Sequence, residues 1–582
     1  MATLKQMTYK DFRGVDFSDK DVLPTRSPNS INMWKSYTNT DSICVETRPG
    51  TTLLADTEET VHGLFFYEVV TTTRTTKVLV HAGTKLFLWN NYPNTPINKT
   101  VLRQNLNPAK SIGFVFNNIF YFKDGINYLE YNGTTISDVT GTIPLTSISR
   151  KPSGGGTIYQ RVNVLQPKRR NAFVADGEST EYHLDTTGLD PASTFTLTAE
   201  VNGINMVETV NFTVDRTNGI VTFLSAPAAP LADGTDNVYI TFSKTVSGYA
   251  DRILNCTMYA EFDNRIFFSG NPEYPNAIFH TELNDPRYCA DLNYYTEGTD
   301  FKNVKAMVPG NNALWVFKEA NQGNTTAFYH EPVIDDEYGK VYPSTHSKIS
   351  TGCVSTGINF NDDIVFFSDR GLEGVSRDIQ LESFLAHRST LIDTKLLKES
   401  NYDKVKLAEY NGYLLCAIGT HIYLADSRAK FYNSNYNNAM EYEWFYWELP
   451  FSVSDMVEYN GDLFFISTTK IYKLSSSSSE VISSIWTIPE TDFGTDSYMK
   501  TSNKRGGLAV VKTMNNDAIV VKAKTNKDAE ETIGTYNDTK GYIVYRIKKK
   551  KFKDIQFSFS SDKPFGIFSC TLEAFIGGYI KR

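Results

Sequence analysis

Short apolar segments separated by tight polar turns recur along the chain at a nearly constant spacing. Each unit has an apolar segment, a two-residue turn of Asn, Asp or Gly and a second apolar segment, and the clearest turns lie near residues 263, 311, 362, 411 and 460. Asn-Gly and Asp-Asn pairs tolerate the positive φ values that tight hairpin turns require. The steps between these turns are 48, 51, 49 and 49 residues. A strand-built period of about 40–50 residues is typical of a β-propeller with one blade per repeat.

Two earlier hairpins, with turns near 73 and 117, raise the count to seven and predict six to eight blades. The next turn comes 146 residues after the second one, whereas one blade accounts for about 49 of them. The excess begins after Gly154-Gly155-Gly156 and has short alternating strands, with a turn at Asn202-Gly203. Such strands indicate a small β-sandwich at residues 157–248, inserted between propeller parts at 56–156 and 249–474.

Residues 1–55 are interrupted by prolines and carry apolar side chains, so we predict an extended arm that docks on the rest of the molecule. Five serines, Ser475–Ser479, predict a flexible linker. Paired apolar strands after it predict a separate C-terminal β-sandwich at residues 481–582. One helix is expected around Leu381 to Lys398. The predicted fold class is therefore all-β.

Composition narrows the functional classes. The 582 residues have a formal net charge of -8, which argues against a surface built to grip nucleic acid tightly. Six cysteines are scattered without metal-ligand or redox spacing, which predicts buried reduced thiols. No apolar run is long enough to span a membrane, and the first residues lack the apolar core of a signal peptide. We therefore expect a protein made and folded in a cytoplasm.

The sequence contains no recognisable catalytic constellation. The motifs of serine hydrolases, zinc proteases, phosphate-binding loops, redox cysteine pairs and EF-hand calcium loops are absent, and the eight histidines are isolated. The acidic pairs Asp335-Asp336 and Asp362-Asp363 are the nearest candidates for hydrolysis, but the second pair lies in a predicted turn, where Asp suits the backbone. We therefore predict no enzyme activity, no catalytic residue, no cofactor and no metal.

A basic run near the C-terminus is the one candidate contact site, and it comprises Arg546, Lys548, Lys549, Lys550, Lys551 and Lys553. On a strand, these residues would place like charges on both faces, so the run is expected at an edge or a turn. Lysines at a sheet edge block unwanted pairing, which is the structural interpretation. The functional interpretation is a contact to an acidic partner surface or to DNA phosphates.

Several segments, taken together and in this order, resemble the tail hub or nozzle proteins of short-tailed bacteriophages, which are also called packaged-DNA stabilisation proteins. The residues that carry the resemblance are Arg48-Pro49-Gly50 at the end of the arm, the segment Phe262–Pro272, the tail Asn284-Asp285-Pro286, and the basic C-terminal sandwich that ends in Phe568–Glu573. The resemblance covers most of the chain outside residues 157–248, which compact members of that family lack.

The resemblance implies a subunit of a ring, usually a hexamer, that sits below the portal and adaptor of a virion. The expected partners are copies of the chain itself, the portal or adaptor, other tail proteins and the packaged DNA. The ring would seal the packaged DNA and form the conduit for its ejection. An acidic wall suits such a conduit, because like charges keep the DNA mobile. A glycan-binding or glycan-hydrolysing propeller for host recognition is the alternative, and a cellular propeller scaffold is a third possibility.

Overall fold

Strands dominate the molecule, which confirms the all-β expectation. The computed structural model describes residues 3–18, 22–37, 44–70, 73–336, 339–377, 383–433, 439–494, 502–514, 518–525, 529–537, 541–547 and 552–579. Within these ranges the helical elements are short: α1 (Asp251–Leu254), α2 (Asp393–Leu396) and one 3-10 turn (Tyr402–Lys404). The architecture is therefore decided by how the strands pair and how the sheets pack.

The N-terminal arm contributes five strands to sheets formed elsewhere in the chain: β1 (Thr3–Tyr9), β2 (Ser30–Ile31), β3 (Met33–Ser36), β4 (Cys44–Thr47) and β5 (Gly50–Asp56). The first meander is a four-stranded antiparallel sheet of β6 (Val61–Val70), β7 (Arg74–Ala82), β8 (Lys85–Trp89) and β9 (Lys99–Arg103). The second has the same order and comprises β10 (Ile112–Phe116), β11 (Ile119–Lys123), β12 (Tyr128–Tyr131) and β13 (Ile136–Asp138).

Between the second and third meanders, two further sheets enclose a core of their own. Their strands are β14 (Leu145–Arg150), β15 (Thr157–Ile158), β16 (Lys168–Phe173), β17 (Glu181–His183), β18 (Thr198–Val201), β19 (Ile204–Val207), β20 (Phe212–Asp215), β21 (Ile220–Phe223) and β22 (Val238–Ser243). One sheet has the order β15-β14-β16-β22-β18-β19, and the other has the order β17-β21-β20. Because β14 belongs to the larger sheet, this unit, called here the inserted sandwich, begins at Leu145 in the structure.

The third to fifth meanders follow the same plan. The third comprises β23 (Met258–Phe262), β24 (Arg265–Ser269), β25 (Ala277–His280) and β26 (Tyr294–Thr296). The fourth comprises β27 (Val304–Gly310), β28 (Ala313–Lys318), β29 (Ala327–His330) and β32 (Ser344–His346), and it carries a side hairpin of β30 (Val333–Asp335) and β31 (Gly339–Val341). The fifth comprises β33 (Cys353–Phe360), β34 (Asp363–Ser368), β35 (Gly371–Arg377) and β36 (Ser383–His387).

The sixth meander has longer outer strands: β37 (Lys406–Tyr410), β38 (Tyr413–Ile418), β39 (His421–Asn433) and β40 (Ala439–Glu448). The seventh is β41 (Asp455–Tyr459), β42 (Asp462–Ser467) and β43 (Lys470–Ser475), and β5 of the arm completes it as the fourth strand. The pairs in this last step run from Lys470 with Asp56 to Ser475 with Gly50. The N-terminal arm therefore supplies the fourth strand of the meander that comes last in the sequence.

The C-terminal segment adds β44 (Ser484–Thr487), β45 (Ser502–Met514), β46 (Ile519–Thr525), β47 (Glu531–Tyr536), β48 (Tyr542–Arg546), β49 (Ile555–Ser561) and β50 (Gly566–Tyr579). It does not form its two sheets alone, because β1 and β4 pair with β50, and β2 pairs with β44. Strand β3 pairs with both β4 and β40, so one sheet runs from the sixth meander through the arm into the C-terminal segment. Here the structure differs from the prediction of a separate C-terminal sandwich.

The predicted hairpin turns are confirmed by their backbone angles. Asp263 and Asn264 have φ values of 51° and 55°, and Asn311 and Asn312 have φ values of 53° and 60°. At the turn near 411, Asn411 has a φ of 48° and is followed by glycine. Two consecutive positive φ values are the signature of the type I′ turn, whose twist matches that of the flanking strands.

Successive meanders contact one another through their first strands, and the succession closes on itself. Contacts run from β6 to β10 and from β23 through β27, β33 and β37 to β41, which contacts β6. The step from β10 to β23 is made by the Tyr259 hydroxyl, which donates to the Gly113 carbonyl at 3.0 Å. A buried apolar core lies at each of the seven boundaries between neighbouring meanders. At the boundary of the seventh and first meanders, the ring centroids of Phe66 and Phe464 are 4.9 Å apart. Burial of apolar surface therefore holds every neighbouring pair together.

The helix predicted around Leu381 to Lys398 is wrong for most of its described part. Ser383–His387 forms β36, whose residues pair with β35 from Arg377 to Glu373. Only Asp393–Leu396 is helical. Cross-strand pairing in the fifth meander has overridden the local helix preference of this segment.

The serine run is also not the flexible linker that its composition predicted. The Ser478 hydroxyl donates to the Thr51 carbonyl at 2.7 Å, and the Glu480 backbone N–H donates to the Ser478 hydroxyl at 3.1 Å. A Cβ on Gly50 would meet Ser478 Cβ at 2.7 Å. Glycine at position 50 therefore lets the serine run pack directly on the start of β5.

All six cysteines, Cys44, Cys256, Cys289, Cys353, Cys416 and Cys570, are buried and unpaired, as expected of reduced thiols. No helix among the described residues is long and apolar enough to cross a membrane.

Candidate functional site

Of the six residues in the basic run, Arg546 and Lys553 lie among the residues that the structure describes. Arg546 ends β48, which is the last strand of its sheet, and its side chain is exposed. Lys553 is also exposed, and Lys548, Lys549, Lys550 and Lys551 lie outside the described residues. The expected edge position is confirmed for Arg546. Both described cations face solvent, so they can meet an acidic partner or a phosphate backbone.

Arg48, from the Arg-Pro-Gly segment, joins three parts of the chain. Its guanidinium donates to Asn32 Oδ1 at 3.0 Å, to the Glu448 carbonyl at 3.1 Å and to Glu480 Oε1 at 2.7 Å. Only 1% of its side chain is exposed. Glu480 also accepts bonds from the backbone N–H and the hydroxyl of Thr51. The residue thus fixes the arm to the sixth meander and to the C-terminal segment.

The two proline-bounded loops of the third meander are turns that pack on neighbouring segments. Asn271 Nδ2 donates to the carbonyls of Asp251 and Arg252 in α1, at 3.0 and 3.1 Å. Asp285 accepts a bond from the Thr142 hydroxyl at 2.6 Å and from the Arg287 N–H at 2.9 Å. These contacts anchor the connection between the second and third meanders, where the inserted sandwich leaves and re-enters.

The acidic pairs named from the sequence do not form a catalytic pair. Asp362 lies in its predicted turn with a φ of 65°, while Asp363 is buried and ion-paired with Arg388. Asp335 ends β30, and Asp336 follows it in a turn. Neither pair lines the larger of the cavities described below.

A cavity of about 440 Å³ opens beside the fifth meander, and sequence reasoning did not find it. It is lined by Thr351, Arg370, Glu373, Leu385, His387, Thr390 and Asp393. Strand β35 supplies Glu373, β36 supplies His387 and the start of α2 supplies Asp393. The only local sign in the sequence is the short spacing between His387 and Asp393, which carries little information without the fold.

His387 lies between the two carboxylates of this cavity. Its Nδ1 is 3.1 Å from Glu373 Oε1, and its Nε2 is 2.6 Å from Asp393 Oδ2. Burial alone would lower the pKa of His387, but the hydrogen bonds and charges of Asp393 and Glu373 raise it to about 10. The ring is therefore an imidazolium that donates from both nitrogens. Ser389 donates to Asp393 Oδ1 at 2.7 Å, which fixes that carboxylate further.

This arrangement ties β35, β36 and the start of α2 together. Glycoside hydrolysis requires two carboxyl groups that face each other across open space for the sugar. Here the imidazolium of His387 occupies the space between Glu373 and Asp393. Among the described residues, no group of three or more His, Cys, Asp and Glu side chains could hold a metal ion.

Replacement of His387 by glutamine is expected to lower the free energy of unfolding by about 2–4 kcal/mol near neutral pH. The folded-state pKa lies above the usual 6.5, so this stabilisation is complete below pH 6.5 and is lost as the pH rises toward 10. Urea unfolding of the wild type and the variant across that range measures the difference. His346→Gln is the control, because His346 is exposed. A difference independent of pH would show that His387 is uncharged in the folded protein.

Charged side chains from three meanders converge at one end of the first strands. Lys110, before β10 of the second meander, forms an ion pair of 3.3 Å with Asp455, which begins β41 of the seventh. Burial and the charge of Lys110 lower the pKa of Lys406, at the start of β37, against the opposing effect of Asp455. One ion pair thus reaches from the second to the seventh meander across the first.

Comparisons with known proteins leave the family open. No family model and no curated protein matches the chain. Among solved structures, Hsv2 of Kluyveromyces lactis is similar with a TM-score of 0.26 and 10% identity, over 67% of this chain and 100% of that one. The exo-beta-1,3-galactanase of Phanerochaete chrysosporium is similar with a TM-score of 0.21 and 9% identity, over 54% of this chain and 94% of that one. At such TM-scores, neither likeness supports an argument about function.

Proposed function

We propose that the seven meanders are the blades of a β-propeller whose closure is completed by β5 of the arm. Each meander is a four-stranded antiparallel sheet, which is the blade of such a fold. The contacts among first strands return from β41 to β6, and an apolar core lies at every boundary. A seven-bladed propeller explains both regularities at once.

The function that we propose for this body is that of a structural virion protein of a bacteriophage tail. Copies of the chain would form a hub or nozzle ring, as the resemblance to tail hub proteins implies. The ring would seal packaged DNA and form the conduit for its ejection. Its partners would be other copies of the chain, the portal or adaptor, neighbouring tail proteins and the DNA in the lumen. The protein would be made in the host cytoplasm and function in the virion.

One observation supports this proposal: residues in the segments that resemble tail hub proteins form contacts at junctions between parts of the chain. Arg48 joins the arm, the sixth meander and the C-terminal segment, while Asn271 and Asp285 anchor the junction of the second and third meanders. These side chains form structural contacts and do not line the cavity beside the fifth meander. A protein that works by shape and assembly requires such junctions more than it requires a reactive pocket.

We place the conduit in a lumen formed by several copies of the chain, not within one chain. Within one chain, the ion pair between Lys110 and Asp455 already joins the second and seventh meanders across the first. A ring of identical subunits requires heterologous contacts that close. The inserted sandwich, the side hairpin of β30 and β31, and the exposed cations Arg546 and Lys553 are surfaces available to such contacts.

Electron microscopy and analytical ultracentrifugation of the purified chain test the proposal, both alone and with candidate portal and adaptor proteins. We expect closed rings whose lumen is wide enough for duplex DNA. A chain that remains monomeric both alone and with those proteins would contradict it. The charge-matched variants described below separate a DNA-facing role from assembly.

Substitution of Arg546 and Lys553 by glutamine is expected to weaken the interaction of assembled rings with duplex DNA. Each lost phosphate contact should reduce the slope of log affinity against log salt by about 0.9. Fluorescence anisotropy over a salt series measures the slope. The control carries Lys398→Gln and Lys404→Gln, which remove two exposed cations near the fifth and sixth meanders. An equal loss in both variants would assign the effect to net charge alone.

A glycan-binding or glycan-hydrolysing propeller remains the second candidate, and the cavity beside the fifth meander is the observation that favours it. Glu373, Asp393 and Arg370 offer polar contacts to a sugar in about 440 Å³. Sugar release from host polysaccharide, abolished by Glu373→Gln and by Asp393→Asn, would establish hydrolysis. Retained thermal stability in those variants is required for that conclusion, because both residues also bond to His387.

A further inference from the structure

A second, smaller cavity lies where the inserted sandwich joins the body of the molecule. Its volume is about 100 Å³, and it is lined by Val162, Asn163, Val164, Leu165, Gln166, Pro167, Arg169, Lys244, Thr245, Val246, Tyr249 and Ala250. Strand β16 supplies Arg169, and Lys244 follows directly after β22. The two cationic residues therefore come from neighbouring strands of one sheet.

Arg169 is buried, and one of its three guanidinium nitrogens has no hydrogen-bond partner. The residue is 8% exposed, and its Nε has no partner in the structure. Against the opposing effect of burial, hydrogen bonds from Ser243 and Thr245 and the charge of Arg169 lower the pKa of the Asp190 carboxyl, so Asp190 interacts with this guanidinium. A buried guanidinium usually has its N–H groups bonded, because an unpaired buried charge is costly. The unpartnered Nε–H of Arg169 is therefore able to donate to an acceptor in this cavity.

The charges around the cavity favour a negative occupant. Lys244 donates to the Thr186 hydroxyl at 2.9 Å and to the Thr187 carbonyl at 2.7 Å, so its own charge is not neutralised by these partners. Asp190 is the nearby carboxylate, and it already accepts from the Ser243 hydroxyl and from the N–H and hydroxyl of Thr245. Two cations against one saturated carboxylate leave the cavity with a net positive charge.

We propose that this cavity binds a small oxyanion of the phosphate or sulfate type, held by Arg169 and Lys244. The planar fork of a guanidinium matches two oxygens of such an anion. One water needs about 10–15 Å³ of such space, so a tetrahedral oxyanion fits, whereas a phosphate within a nucleic-acid backbone would bring its sugars with it. The bound anion would fix the inserted sandwich against the loop of residues 162–167. This site is independent of the ring-forming function.

Isothermal titration calorimetry of the full chain with inorganic phosphate, and separately with sulfate, tests this site at constant ionic strength. We expect saturable binding with one anion per chain and a melting temperature that rises with anion concentration. Arg169→Gln is expected to weaken the affinity about tenfold or more, since it removes a charge-assisted contact. Arg161→Gln is the matched control, because Arg161 is exposed and lies outside the cavity lining.

Lys244→Gln provides the second variant in case Arg169→Gln fails to fold, and it should also weaken binding. Absence of saturable binding to the wild type at millimolar anion would overturn the proposal. Equal binding by the wild type and both variants would do the same. Competition by a short DNA duplex that depends on Arg169 would assign the contact to a nucleic-acid phosphate and would contradict a free anion as the occupant.

Discussion

Replacement of Arg388 by alanine is expected to lower the free energy of unfolding by about 3–5 kcal/mol. The Arg388 guanidinium bonds both oxygens of Asp363, at 2.8 and 3.2 Å, and donates to the Met440 carbonyl at 2.8 Å. Tyr442 donates its hydroxyl to the same carboxylate at 2.6 Å. Only 2% of the Arg388 side chain and 8% of the Asp363 side chain are exposed. Truncation would leave a buried carboxylate without its cation, at the boundary of the fifth and sixth meanders.

Urea unfolding followed by tryptophan fluorescence measures this loss, and Trp444 is a suitable probe because its indole N–H donates to the Arg388 carbonyl at 2.9 Å. Arg370→Ala is the control, since Arg370 is an exposed arginine of the same meander, and it should change stability by no more than about 0.5 kcal/mol. The paired replacement Arg388→Met with Asp363→Leu should recover part of the stability. A loss as small as that of the control would show that the pair contributes little.

Replacement of Arg48 by alanine is expected to cost about 3–5 kcal/mol and to release the N-terminal arm. Arg48 is the common partner of Asn32, Glu480 and the Glu448 carbonyl, so alanine would remove one donor from each of the three. Strand β3 meets β40 at one pair among the described residues, Met33 with Tyr446, so we expect the junction at Arg48 to help hold the two strands together. The loss should therefore appear both in global stability and in local opening of the arm.

Hydrogen exchange read by mass spectrometry separates the two effects. In the Arg48 variant, amides of β1 to β4 should exchange faster than in the wild type, while those of the third and fourth meanders should keep their protection. Arg13→Ala is the control on the same arm, because the Arg13 side chain is 52% exposed and lies 3.7 Å from Glu443. Uniformly faster exchange over the whole chain would contradict a local role for Arg48.

The features that the sequence predicted well are the local ones. A turn such as Asn311-Asn312 can be recognised in the sequence because its two residues must both adopt positive φ, and few residue types do so readily. The repeat of those turns predicted seven hairpins, and each hairpin is present in the structure. The apolar segments on either side of each turn could place the strands because most of the four-stranded meanders are built from strands that are close in sequence.

The features that it missed depend on partners far away in the chain. The pairing of β1 with β50 joins Thr3 to Ile576, and no local pattern marks either residue for the other. The helix expected after Leu381 failed because β35 offered Ser383–His387 a complete set of strand partners. His387 looked isolated in the sequence, and only the fold brings Glu373 and Asp393 to its two nitrogens. Arg169 likewise gave no sign that it would be buried with its Nε unpartnered.

The closure of the seventh meander by β5 also sets the order in which the molecule can mature. During translation, β5 emerges from the ribosome long before β43, which is its partner from Gly50 to Asp56. At typical elongation rates the interval between the synthesis of β5 and that of β43 is on the order of tens of seconds. During this interval β5 has no strand partner. The last strand, β50, is needed in turn to receive β1. A chain released before β43 would therefore lack the partner of β5, and a chain released between β43 and β50 would still lack the partner of β1.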